Sequence, residues 1–103
     1  MDNVIPIAAE YKRRVEAALP GRVAKVVLFG SRARGDADAD SDWDVAVFLR
    51  DDVGSRELDV LADVGTALLL QTGAVIQPVP LPISRENEDS LFLRHIRRDG
   101  VLV

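Results

Sequence analysis

The chain has 103 residues, a formal net charge of −4, 48% hydrophobic residues and no Cys. That is enough apolar material for one modest core, and it excludes a disordered chain, a disulfide framework and thiolate metal sites. The acidic balance, without any Lys/Arg-rich run interleaved with aromatics, argues against duplex DNA or RNA as the main partner.

Residues 5–19 predict a helix, with Ala8, Tyr11, Val15, Ala18 and Leu19 on one stripe, stopped by Pro20-Gly21. Val23 to Phe29 is β-branched and apolar apart from Lys25, as in a buried strand. It runs into Gly30-Ser31-Arg32-Ala33-Arg34-Gly35, a turn and short helix, and then an acidic loop from Asp36 to Asp40. Trp43 to Leu49 is the second strand, in which Trp43, Val45, Val47 and Leu49 alternate with Asp44, Ala46 and Phe48. After a turn at 51–54, Ser55 is placed to cap a helix reaching Thr72 and ending at Gly73. Its apolar stripe is Leu58, Leu61, Ala62, Gly65, Leu68 and Leu69, widened by Val60, Val64 and Ala67. Ala74 to Leu81 is a third strand, confined to a sheet edge or leaving the sheet near Pro78 because Pro78 and Pro80 cannot donate to a ladder. A last helix over 88–98 ends at Gly100, and Val101-Leu102-Val103 can add a terminal strand. The expected architecture is an α/β (α+β) domain of two layers, a small mixed sheet flanked by helices, with residues 1–103 as a single domain. No apolar stretch approaches the roughly 20 residues that cross a bilayer. Met1-Asp2-Asn3-Val4 lacks the basic region that opens a secretory signal, so a cytoplasmic location is expected.

The chemistry is concentrated between Leu28 and Leu49. Asp42 and Asp44 stand two apart on an extended chain, so both carboxylates project from one face while Trp43 turns into the packing. Two close like charges call for a cation between them, and Mg²⁺, hard and oxygen-seeking, is the natural one. Gly30-Ser31, between a buried strand and a helix start, leaves backbone N–H groups for an anion, with the Ser31 hydroxyl as a further donor. The two elements lie about a dozen residues apart on consecutive strands, as a metal-bound nucleoside triphosphate requires.

Gly30-Ser31-Arg32-Ala33-Arg34-Gly35 followed by Ser41-Asp42-Trp43-Asp44-Val45-Ala46-Val47 resembles the signature of the polymerase-β-like nucleotidyltransferases. Length and element order resemble their stand-alone branch, the minimal nucleotidyltransferase (MNT) domains, which pair as antitoxins with small helical HEPN-type toxins. The resemblance implies that Gly30 and Ser31 bind the β- and γ-phosphates. It also implies that Asp42 and Asp44 are the catalytic metal ligands for two Mg²⁺ ions. The implied reaction moves AMP from ATP to a hydroxyl of a protein acceptor, the toxin. Arg32 and Arg34 are placed to reach triphosphate oxygens.

The chain departs from the family pattern at one point. Active members carry a third carboxylate on a neighbouring strand, but Ala74 to Leu81 holds no Asp or Glu, and Gln77 is its one polar side chain. The alternative reading is therefore a weak or inactive nucleotide-binding module that neutralises its partner by contact. Leu91, Phe92, Leu93 and Ile96 of the last helix would supply the contact surface, or else pack into the core. Arg94, Arg97 and Arg98 are expected on a solvated helix face, His95 as solvated or half-packed, and Tyr11 and Trp43 as core residues.

Overall fold

The computed structural model describes residues 5–103; Met1 to Val4, on which the absence of a secretory signal was read, lie outside the described residues. The elements are α1 (Ile5–Ala18), β1 (Val23–Phe29), α2 (Ser31–Arg34), β2 (Trp43–Leu49), α3 (Ser55–Thr72), β3 (Ile76–Pro82), a 3₁₀ turn (Ile83–Arg85), α4 (Leu91–Asp99) and β4 (Val101–Leu102). The sheet order is β3-β2-β1-β4. β1 runs antiparallel to both β2 and β4, whereas β2 and β3 are parallel, so the sheet is mixed.

β2 is central because its sequence is apolar on both faces, and both are covered. Val45, Val47 and Leu49 join Val26, Leu28, Tyr11, Val15, Leu61 and Leu68 in the larger core, under α1 and α3. Ala46 and Phe48 face the other way, onto Val27, Leu81, Leu93 and Ile96. Helix α4 thus forms a third layer on the second face, where the sequence suggested two layers in all. β1 serves both cores by alternation, and a bulge between Val23 and Lys25 shifts its parity so that Val23 faces the same core as Val26 and Leu28. Lys25 reaches over the Phe48 ring and pairs with Glu86 at 2.7 Å.

β3 is the edge strand that its prolines demand. The Val75 carbonyl accepts from Trp43 N at 2.8 Å, so odd-numbered residues turn their backbone groups towards β2. Pro78, Pro80 and Pro82 alternate with them, and their donor-less nitrogens face outward. The strand stays paired through Leu49↔Pro82 rather than leaving at Pro78, and it begins at Ile76 rather than Ala74.

Three local expectations are corrected. Ser55 is the first residue of α3, not its cap; the N-cap is Gly54, whose N–H donates to Glu57 Oε1 at 2.7 Å. The buried face of α3 is narrow: Leu61 and Leu68 are buried, but Leu58 and Leu69 are exposed. Ala18 is also exposed, while Ala8, Tyr11, Val15 and Leu19 form the α1 stripe as expected. Tyr11 and Trp43 are core residues, and Tyr11 satisfies its hydroxyl by donating to the Leu61 carbonyl at 3.0 Å. Gly73, at φ 78°, closes α3 in the left-handed conformation.

Candidate active site

The end of β1 lies beside the start of β2, with Phe29 opposite Asp44. The chain leaves β1 through Gly30 at φ 73° and enters the short helix α2. A side chain at Gly30 would collide with Asp44 Oδ2, and its Cβ would lie 3.2 Å from Asp44 Cγ. Glycine is therefore required twice, by the dihedral and by the approach of the carboxylate. The N–H groups of Ala33 and Arg34 return to the Gly30 carbonyl. Those of Ser31 and Arg32 make no hydrogen bond with the described residues and remain available to an anion.

Asp42 precedes β2 and Asp44 lies within it, both half-exposed, whereas Trp43 is turned into the core. Burial raises the Asp44 pKa, the Asp42 charge raises it further, and Arg34 partly offsets both. The Asp44 charge is therefore not fully compensated by its surroundings. Two oxygen ligands on one face, crowded against a glycine and short of positive charge, fit a divalent cation. Among the described residues no group of three or more acidic, His or Cys side chains is assembled for a metal. Gln77 stands opposite Asp44 on β3, and its Nε2 donates to Asp42 Oδ2 at 3.3 Å. A neutral amide occupies the flank of the carboxylate pair, on the strand where the sequence resemblance implies an acid.

The two arginines diverge. Arg34 lines a cleft beside Gly30, paired with Asp36 at 3.2 Å. Arg32, expected with it at the triphosphate, lies on the Trp43 ring at 4.3 Å and donates to the Ser41 carbonyl at 2.9 Å. In this arrangement it braces the loop that delivers Asp42. The structure brings Gly30, Ser31, Arg34, Asp42 and Asp44 together and sets Arg32 apart.

The cleft, of about 390 Å³, has Phe29, Gly30 and Arg34 on one side and Phe92, His95, Arg98 and Asp99 of α4 on the other. The sequence placed Arg98 on a solvated face, His95 on a solvated or half-packed one, and Phe92 in a contact patch or the core. A usable signal was present: Phe92, His95 and Asp99 recur at helical spacing beside the buried Leu93 and Ile96. The apolar patch is split, since Leu93 and Ile96 pack into the core while Leu91 is exposed and Phe92 meets Phe29 edge-on at 5.4 Å.

Residues 8–93 match the nucleotidyltransferase domain family, and the chain belongs to it. It is 28% identical to "Putative protein adenylyltransferase MJ0141" of Methanocaldococcus jannaschii over 98% of this chain and 99% of that one. It is 37% identical to "Putative protein adenylyltransferase MJ0604" of the same organism over 68% of this chain and 65% of that one. A crystal structure of a "putative nucleotidyltransferase from Sulfolobus solfataricus" superposes with a TM-score of 0.66 at 20% identity, covering 96% of this chain and 78% of that one. A "putative minimal nucleotidyltransferase" superposes at 0.63 with 23% identity, covering 100% of this chain and 97% of its own. A toxin–antitoxin crystal structure with AMP-PNP superposes at 0.62 with 17% identity, covering 89% and 68%. The chain thus shares the fold of the second of these structures throughout its length, and among the described residues no helix is long and apolar enough to cross a membrane.

Proposed function

We propose that this chain transfers AMP from ATP to a hydroxyl of a protein acceptor, as the antitoxin of a HEPN-type toxin. The observation that carries the reading is the Asp42–Asp44 pair set against the Gly30-Ser31 turn. The names of the curated relatives and the toxin–antitoxin neighbour support it. Asp42 and Asp44 would hold Mg²⁺, two ions in the full complement, which neutralises the triphosphate and lowers the pKa of the acceptor hydroxyl. Gly30, Ser31 and Arg34 hold the phosphates beyond the reacting phosphorus, while Arg32 holds the loop before Asp42. The acceptor oxygen bonds to the α-phosphorus, the bridge to the β-phosphate breaks, and pyrophosphate leaves with the electron pair. The hydroxyl proton passes to water, because Gln77 offers no basic site where a base would stand.

Gln77 also favours a second reading from another class, a nucleotide-binding module that silences its partner by contact alone. Incubation with labelled ATP, Mg²⁺ and the protein encoded beside this chain's gene, followed by intact mass, separates the two. AMP added to the partner, and lost in the Asp42→Ala plus Asp44→Ala variant, is the expected outcome. A stable complex that survives this double substitution without any transfer sinks the enzyme and leaves the module.

A further inference from the structure

Three nitrogen-bearing side chains, those of Arg34, His95 and Arg98, converge on the cleft that opens beside Gly30. Asp99 is the one carboxylate among the cleft residues, and it is engaged in a fork with Arg98, Nε to Oδ1 at 3.2 Å and Nη2 to Oδ2 at 3.1 Å. Arg98 holds the Asp99 carboxyl below the usual range, with Arg34 and His95 adding to the effect. Asp99 therefore stays charged and keeps the guanidinium oriented. The other arginines of α4 are turned elsewhere: Arg94 pairs with Asp89, and Arg97 donates to the Glu86 carbonyl. His95 and Arg98 are three apart and share a helix face, and the Phe29–Phe92 contact pins that face against the end of β1.

In a chain of net charge −4, this concentration of donors is local and faces the same turn that offers free N–H groups. Forked guanidinium groups and an imidazole around an open cleft suit a condensed phosphate. We propose that the cleft holds the pyrophosphate end of the nucleotide and then the leaving pyrophosphate, with His95 and Arg98 as binding residues and Asp99 as the positioning residue for Arg98. The proposal rests on the nucleotidyl-transfer reading above and adds to it an α4 wall that the signature motifs do not contain.

The test is calorimetric titration of the full chain with inorganic pyrophosphate and Mg²⁺, and separately with AMP, beside steady-state transfer. Arg98→Gln and His95→Gln are each expected to weaken pyrophosphate about tenfold, as loss of a charge-assisted hydrogen bond does, and to raise the KM for ATP similarly. AMP affinity should not move, Arg98→Lys should recover part of the loss, and Arg94→Gln on the same helix should change nothing. Both side chains are exposed, so folding is not at stake. Pyrophosphate that binds the two Gln variants as it binds the parent, or does not bind the parent at all, overturns the proposal even where AMP transfer is observed. Pyrophosphate binding that depends on Arg98 in a chain with no transfer supports the cleft assignment while the reaction assignment fails.

Discussion

A methyl group at Gly30 would strike the Asp44 carboxylate and sit at a φ of 73°, so Gly30→Ala tests the closest contact in the site. It is expected to cost about 1–3 kcal/mol in denaturant unfolding, the range for a non-glycine residue held in a sparsely populated backbone region. Transfer should fall by about 100-fold, because Asp44 is pushed off position by an ångström or so. Asp44→Asn should divide stability from function. The Asp44 pKa is raised by burial and by Asp42, so its charge weakens the metal-free fold as pH rises through that pKa. Removing the charge is expected to raise the Tm by about 1–2 °C, a small figure because the group is partly solvated. The same substitution should abolish Mg²⁺-dependent transfer; a lower Tm would contradict the electrostatic account. Gln77→Glu is the converse experiment. It places a third carboxylate beside Asp42 and opposite Asp44, and should tighten Mg²⁺ and raise transfer by about tenfold or more, towards the 10²–10⁴ of a positioned base. Slower transfer with weaker Mg²⁺ binding would show that β3 is not the base-bearing strand.

Helix α3 owes its start to one acid. Glu57, buried, accepts the Gly54 N–H at 2.7 Å and pairs with Arg22 at 3.0 Å. The Gly54 bond first, then Arg22, lower its pKa. A lowered carboxyl pKa contributes stability that is complete above the unfolded value, about 4.3, and is lost as pH falls through the folded one. Glu57→Gln should therefore be less stable than the parent at pH 7 and should lose less between about pH 5 and pH 3 in urea titrations. Parallel curves for the two proteins would rule out Glu57 as the titrating group. The same element marks the limit of what local sequence carries. Val23 to Phe29 and Trp43 to Leu49 were legible to the residue, because a strand buried on both faces is a continuous apolar run. The placement of Gly30, Ser31, Asp42 and Asp44 beside one another was legible because strand alternation and a turn fix it locally. The cap was misplaced because Ser55 looked like a capping residue, whereas the bond comes from Glu57 in the first turn. Leu58 and Leu69 looked like core but are exposed, since periodicity does not reveal how wide a face the sheet leaves uncovered. Phe92, His95 and Arg98 were hidden for the same reason. Their helical spacing marks a shared face of α4, but what that face meets depends on α4 returning to the second face of the sheet, which the spacing does not encode.

The two cores lie on opposite faces of the sheet, one under α1 and α3, the other under α4. α4 is short, so its place depends on Leu93 and Ile96, both buried, and on Gly100, where a side chain would strike Val27 and the Ile96 carbonyl. β4 follows directly and pairs Leu102 with Val27 and Val101 with Leu28. Loosening α4 therefore loosens the outer strand and the α4 wall of the cleft together. Ile96→Ala removes most of a buried side chain and is expected to cost about 2–4 kcal/mol. A domain of this size has about 5–10 kcal/mol in total, so the variant should remain folded at 25 °C and melt about 10–20 °C lower. Unfolding should stay a single transition, because Ala46 and Val47 are adjacent residues of β2 that serve opposite cores and cannot separate. The KM for ATP should rise at temperatures where the fold persists, as α4 shifts away from Gly30. Calorimetry that resolves two transitions would show α4 and β4 to be an independent unit, and an unchanged KM would show that the α4 wall takes no part in holding nucleotide.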